Sequence, residues 1–185
     1  MNNLKKIVFV LVGIIVIAII LFFIYFYFFH ETEEVITEYT PEEEISQEQI
    51  RQTMVSLYFK KEKELIPEAR LIDVKELITN PYETLINMLI EGPKNENLEK
   101  TIPDGTSILG IEKQGEILVI DFSKEFIENH PGGEEEEKLT INSIVNTVTE
   151  LTEINGVKIK IKGEENKSFQ DGKINFENNF TRENN

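Results

Sequence analysis

The stretch Ile7–Phe29 reads IVFVLVGIIVIAIILFFIYFYFF, 23 residues without a charged side chain. As a helix it is about 35 Å long at ~1.5 Å per residue, enough to cross a hydrocarbon core of roughly 30 Å with slight tilt. Its β-branched content does not argue for a strand, because in lipid only a helix satisfies its own backbone polar groups within one segment. A cleaved signal peptide is the competing reading. Such a leader has an apolar region of about 7–15 residues followed by small residues at the cleavage site. Here the run is longer and ends in aromatics. The chain has no cysteine, so it cannot carry a thioether-linked lipid. Lys5 and Lys6 precede the run, and His30, Glu31, Glu33 and Glu34 follow it. The excess of positive charge on the cytoplasmic side of membrane spans then predicts a cytoplasmic stub over 1–6 and a single span over 7–29. The rest of the chain is placed outside the cell membrane.

Two of the 19 basic residues precede the run and no acidic residue does, which leaves 17 basic against 34 acidic residues beyond it, a balance of −17. That balance excludes nucleic acid as a partner, since nucleic acid is held by neutralising phosphates. It also disfavours adhesion to anionic lipid. Without cysteine, neither disulfides nor a thiolate metal site can brace the fold, so the outside portion must rest on its hydrophobic core. Residues 30–51 are rich in Glu and Thr and read as a solvated acidic linker. Residues 52–177 are of a size to bury one core, and 178–185 read as a polar, frayed tail.

Within 52–177 the elements follow from pattern. Thr53–Phe59 is β-branched and aromatic, a half-buried strand, and Leu65–Val74 is a second extended segment. Asn80, Pro81 and Glu83 open a helix that Gly92 and Pro93 close. Ser107–Glu112 and Ile117–Phe122 flank the turn Gln114-Gly115 as a hairpin. Lys124–Glu128 is a helical turn with Phe126 inward. Glu135–Leu151 carries an apolar stripe of helical period through Leu139, Ile141, Ile144, Val145 and Val148. Val157–Lys162 alternates apolar residues with Lys158, Lys160 and Lys162, and Lys173–Phe176 is a last short strand. The order ββα, hairpin, α, ββ predicts an α+β body: a single antiparallel sheet with two packed helices.

Few residues suggest chemistry. Glu134–Glu137 are four successive carboxylates, but on a helix they point in different directions and do not converge on one ion. Negative charge is favoured at a helix N-terminus in any case. Asp104, Asp121 and Glu125 are candidate acids for a glycan hydrolase, which needs two carboxylates flanking a cleft. A chain with 34 acidic residues offers such pairs by composition alone. Its two histidines, His30 and His130, form no triad or zinc spacing with other residues. No catalytic, metal or cofactor residue is therefore assigned. Two surfaces are candidate partner contacts: Asn129, His130 and Pro131 in the segment NHPGG, and the strip Lys158, Lys160 and Lys162.

From Val55 onward the chain resembles a GerMN domain, the module of spore formation and germination proteins. The resemblance is carried by Leu57-Tyr58-Phe59, Leu89-Ile90-Glu91-Gly92-Pro93 and Thr101–Thr106. It continues through Val119–Phe126, Asn129–Gly133, Leu139–Glu150 and the close Phe176–Arg182. It implies a membrane-tethered, extracytoplasmic, non-enzymatic interaction domain of α+β fold, similar to ring-building motifs of secretion systems. Partners would be envelope or sporulation proteins, a homo-oligomer included. Relatives occur as tandem copies or as lipoproteins, whereas this chain has one copy and an apolar helix. A sensory domain for a small wall-derived ligand is the alternative function, and an envelope enzyme a more distant one.

Overall fold

A computed structural model describes residues 2–29, 51–170 and 172–182. The chain divides into two compact units, 1–48 and 49–185. In the first, helix α1 covers Asn2–Phe29 and has no acidic residue in its first turn. It is the one described helix long and apolar enough to cross a membrane, a test that a signal sequence also passes. The acidic linker lies outside the described residues except for Arg51, and so does His30.

The second unit begins with a hairpin of β1 (Gln52–Lys61) and β2 (Glu64–Asp73), paired in unbroken register from Gln52↔Asp73 to Lys61↔Glu64. Helices α2 (Val74–Thr79) and α3 (Pro81–Glu91) follow. Next come β3 (Ile108–Gln114), β4 (Ile117–Phe122), α4 (Glu125–Glu128), α5 (Glu134–Val148), β5 (Gly156–Ile161) and β6 (Phe180–Thr181).

The α+β class is as expected, but the strands are arranged differently from the predicted single antiparallel sheet. The hairpin β1–β2 is a sheet of its own, and a second sheet has the order β3-β4-β5-β6. In that sheet β4 and β5 run parallel. The physical reason is the connection: α4 and α5 intervene, and a helical crossover returns the chain to the end of the sheet where β4 began. The last strand is also displaced. Lys173–Phe176 is not a strand; the pairing partner of β5 is Phe180–Thr181, joined at Gly156↔Thr181 and Val157↔Phe180. Gly156 is required there by proximity, because a Cβ at that position would lie 2.7 Å from the Phe180 carbonyl oxygen. The supposed polar tail is thus tied down as far as Arg182, whose guanidinium bonds Glu150 Oε1 at 3.1 Å and the Tyr58 hydroxyl at 2.7 Å. Deleting 178–185 should lower stability by about 1–3 kcal/mol, since it removes a ladder, a half-buried phenylalanine and this ion pair. An unchanged urea midpoint would restore the frayed-tail reading.

Helix α2 was not expected. Asp73 ends β2 and its side chain accepts from the Lys75 N–H, with Glu76 in the first turn. Asp-x-x-Glu is a capping signature that the apolar alternation of the preceding strand obscured. Asn80, read as the cap of α3, makes no side-chain capping bond; its carbonyl instead accepts from the Thr84 N–H and hydroxyl.

One cluster forms the core. Leu57 and Phe59 of β1, Leu85, Ile86 and Leu89 of α3, and Ile144, Val145 and Val148 of α5 meet Leu118, Ile120 and Phe122 of β4 and Val157, Ile159 and Ile161 of β5. Phe126 stacks on Phe122 with ring centres 4.5 Å apart and planes 7° from parallel. Phe169 and Phe176, from the irregular segment after β5, pack against Phe126 at 5.5 and 6.1 Å.

A two-stranded sheet leaves backbone groups unpaired at both edges, and this fold completes the β1 edge with side chains and a loop. The Tyr58 N–H donates to Thr147 Oγ1 at 3.1 Å, and the Ser143 hydroxyl donates to the Tyr58 carbonyl at 2.6 Å. Lys60 exchanges both backbone bonds with Glu99. The buried hydroxyls on α5 therefore do the work of a third strand at Tyr58. Pro67 lies directly opposite Tyr58 on β2. Tyr58 turns its backbone groups away from β2, so at this pair the ladder needs no N–H from Pro67.

Candidate functional site

The two predicted contact surfaces have different fates. In NHPGG, Asn129 and Pro131 are exposed, but His130 is buried, 6% accessible. Its Nδ1 accepts from the Gly132 N–H at 3.0 Å and its Nε2 lies 3.0 Å from Thr140 Oγ1. The Thr140 hydroxyl donates onward to the Thr101 carbonyl at 2.7 Å. An Nδ1 that accepts leaves Nε2 as the donor, so the imidazole completes a chain of bonds from the loop to α5 and on to the Thr101 loop. Its ring also packs on Phe169 at 4.4 Å. His130 is therefore corrected from partner contact to internal brace, and the burial of the phenylalanine beneath it is the reason. Gly132 and Gly133 have φ of 80° and 95°, a bend that side chains resist just ahead of α5. Asn129 Nδ2 bonds the Asp104 carbonyl at 2.7 Å and pins the turn around Gly105.

The lysine strip contains two members rather than three. The register Val119↔Lys158 and Asp121↔Lys160 sets Lys158 and Lys160 on the sheet face shared by Ile117, Val119 and Asp121. Lys162 lies beyond β5 with φ of 52° and leaves the alternation. β5 is bordered by β4 along its length and by β6 only at Gly156 and Val157. On that face Gln114, Ile117, Val119, Lys158, Lys160, Glu165 and Asn179 line a groove of about 300 Å³. Lys158 Nζ bonds the Glu177 carbonyl at 2.5 Å and stays 3.8 Å from Glu165, whereas Lys160 Nζ reaches Glu165 at 2.8 Å. Glu165 holds the Lys160 ammonium above its usual range, and Lys160 in turn holds the Glu165 carboxyl below its own. Sequence alternation put the lysines on one face. Glu165 and Asn179 were missed because they arrive from loops that carry no periodic signal.

The acidic candidates are engaged separately. Asp121 accepts from the Gly163 N–H at 2.9 Å, Asp104 binds Lys100 at 2.5 Å, and a hydrogen bond from the Ser123 hydroxyl lowers the Glu125 carboxyl. The Glu134–Glu137 run fans out as its helical spacing requires. Glu134 meets Lys138 and Lys173, Glu135 meets Lys63, Glu136 meets Lys60, and Glu137 is buried. Among the described residues no group of three or more His, Cys, Asp or Glu could hold a metal ion.

An α+β body of two sheets with packed helices is the class of domain that these elements define. Within that class the chain belongs to the Germane family, described by sporulation and spore germination, whose sequence profile matches residues 56–167. No curated protein sequence matches. Among solved structures, a candidate lipoprotein from Clostridium perfringens is similar at 27% identity and TM-score 0.51, covering 72% of this chain and 89% of that one. The tandem GerMN domains of the sporulation protein GerM from Bacillus subtilis align at 20% identity and TM-score 0.59, covering 71% of this chain and 46% of theirs. The first of those domains alone aligns at 20% identity and TM-score 0.56 over 70% of this chain and 98% of the domain. The body over these residues thus has the fold of one such domain. Its family is described by a developmental process, not by a reaction.

Proposed function

We propose that this chain is a membrane-anchored interaction domain that docks another envelope protein during spore formation or germination. The outer face of the four-stranded sheet carries this reading. Its groove is lined by strand and loop residues alone, with two lysines set in an otherwise acidic body. The apolar helix α1 supplies the tether, and Lys5 and Lys6 ahead of it favour a cytoplasmic N-terminus with the body outside. The exposed Asn129 and Pro131 are a second candidate surface.

Crosslinking in native membranes tests the reading. With Lys158→Glu and Lys160→Glu together, the proposal expects loss of the crosslinked partner while the protein remains folded and membrane-bound. An unchanged partner set removes the sheet face from consideration. A C-terminal tag protected from added protease in intact cells contradicts the orientation.

A further inference from the structure

We infer that the groove on the outer face of the four-stranded sheet is a binding site for the free C-terminal carboxylate of a peptide, and that Glu165 supplies a substitute carboxylate from within the chain. The inference deepens the docking reading above and rests on it. Lys158 and Lys160 are two residues apart on one strand, so both stems rise from the same face. Their side chains are only 12% and 27% accessible. Burial of that degree is uncommon for lysine; the aliphatic stems share the groove with Ile117 and Val119, and the ammonium groups are held by polar partners. Among the described residues the carboxylate they share belongs to Glu165, whose side chain is 54% accessible and reaches only one of them closely. An ammonium offers three donors. A carboxylate seated between the two lysines makes the close contact to Lys158 that Glu165, at 3.8 Å, does not make.

The exchange replaces one carboxylate with another. Lys160 keeps a partner, and Glu165 returns to water from a position already half solvated. Specificity for a peptide comes from the rest of the lining. The amides of Gln114 and Asn179 present donors and acceptors for a peptide backbone, and the Ile117–Val119 floor accepts a short apolar side chain. The volume is at the small end of ligand sites, suited to the last two residues of a chain. Glu112 and Asp121 also act on Lys160 and oppose added negative charge, and Asp121 is already committed to the Gly163 N–H. They disfavour a ligand with several anionic groups and permit one with a single carboxylate.

The test uses the full-length chain in phosphatidylcholine nanodiscs, with isoleucine methyl groups labelled for NMR. The Ile117 methyl reports the groove. Acetyl-Ala-Ala with a free carboxylate is expected to shift that signal and saturate in the millimolar range, and its C-terminal amide is not. Glu165→Gln removes the internal competitor from an exposed position and should tighten acid binding about ten-fold. Lys160→Met should abolish the response. An amide that shifts Ile117 as strongly as the acid overturns the inference, as does Glu165→Gln binding no tighter. Loss of the crosslinked partner in Lys160→Glu without any carboxylate response overturns this inference and leaves the docking face standing. A clear carboxylate response with unchanged crosslinks does the reverse.

Discussion

Phe126→Ala should destabilise the body by about 3–5 kcal/mol, the cost of deleting a fully buried aromatic from a packed site. Phe126 is 0% accessible and touches Phe122, Phe169 and Phe176. It is the point where the end of β4 meets the irregular segment that follows β5. Truncation therefore leaves a cavity walled by rings that cannot all move inward together. Equilibrium urea unfolding measures the effect; a midpoint within error of the parent would mean that this cluster does not hold the two segments together. Phe126→Leu keeps most of the volume and should cost markedly less.

The second large effect belongs to Arg70. Its guanidinium is 5% accessible, lies 5.9 Å from the centre of the Phe59 ring, pairs through Nε with Glu68, and donates from Nη2 to the Gly92 carbonyl at 2.7 Å. Glu68 also accepts from the Asn95 N–H at 2.8 Å and the Lys94 N–H. This pair of a buried arginine and a half-buried glutamate thus joins β2, the end of α3 and the loop beyond it. Arg70→Ala takes the counter-ion from the half-buried Glu68 carboxylate, which keeps its two backbone donors, and the side-chain donor from the buried Gly92 carbonyl, and should cost about 2–4 kcal/mol. Replacing both partners by apolar residues, Glu68→Leu with Arg70→Met, should recover much of that loss, because the desolvation penalty goes with the charges.

The same pair gives a pH dependence of known sign. Burial alone would raise the Glu68 carboxyl, but the Asn95 N–H, Arg70 and the Lys94 N–H outweigh it and hold the group below its ordinary value. A carboxyl lowered in the folded state contributes stability that is fully present above its unfolded value, about 4.3, and is lost as pH falls through the folded one. Unfolding midpoints measured from pH 6 down to pH 3 should fall more steeply in the parent than in Glu68→Gln. Equal slopes would show that Glu68 is not a source of acid sensitivity.

Much of this body was legible because its signals are local. The apolar period of α5, the alternation of β5 and the glycine turn between β3 and β4 each sit within a few residues, and each element formed where its pattern lay. What escaped reading depends on residues distant in sequence. Whether β5 pairs parallel or antiparallel is decided by where α5 delivers it, not by its own residues. Phe180 looked like part of a polar tail because its neighbours are Asn and Thr, and only its pairing with Val157 makes it structural. His130 looked available because turns face water, yet a loop that bends over Phe169 buries it. The groove was half legible, since the lysines belong to a strand pattern and Glu165 to none.

The closing role of the C-terminal segment also fixes when the molecule can finish folding. The hairpin β1–β2 pairs residues close in sequence and can form as soon as it is made. The rings of Phe169 and Phe176 and the clasp of Arg182 come from the far end of the chain. Contacts of such long sequence separation form late, and synthesis releases the chain from its N-terminus first. Until Phe169, Phe176 and Arg182 are free, the nascent body holds its aromatic core open to solvent. A copy cut short before Phe176 would present quality-control proteases with a ready substrate.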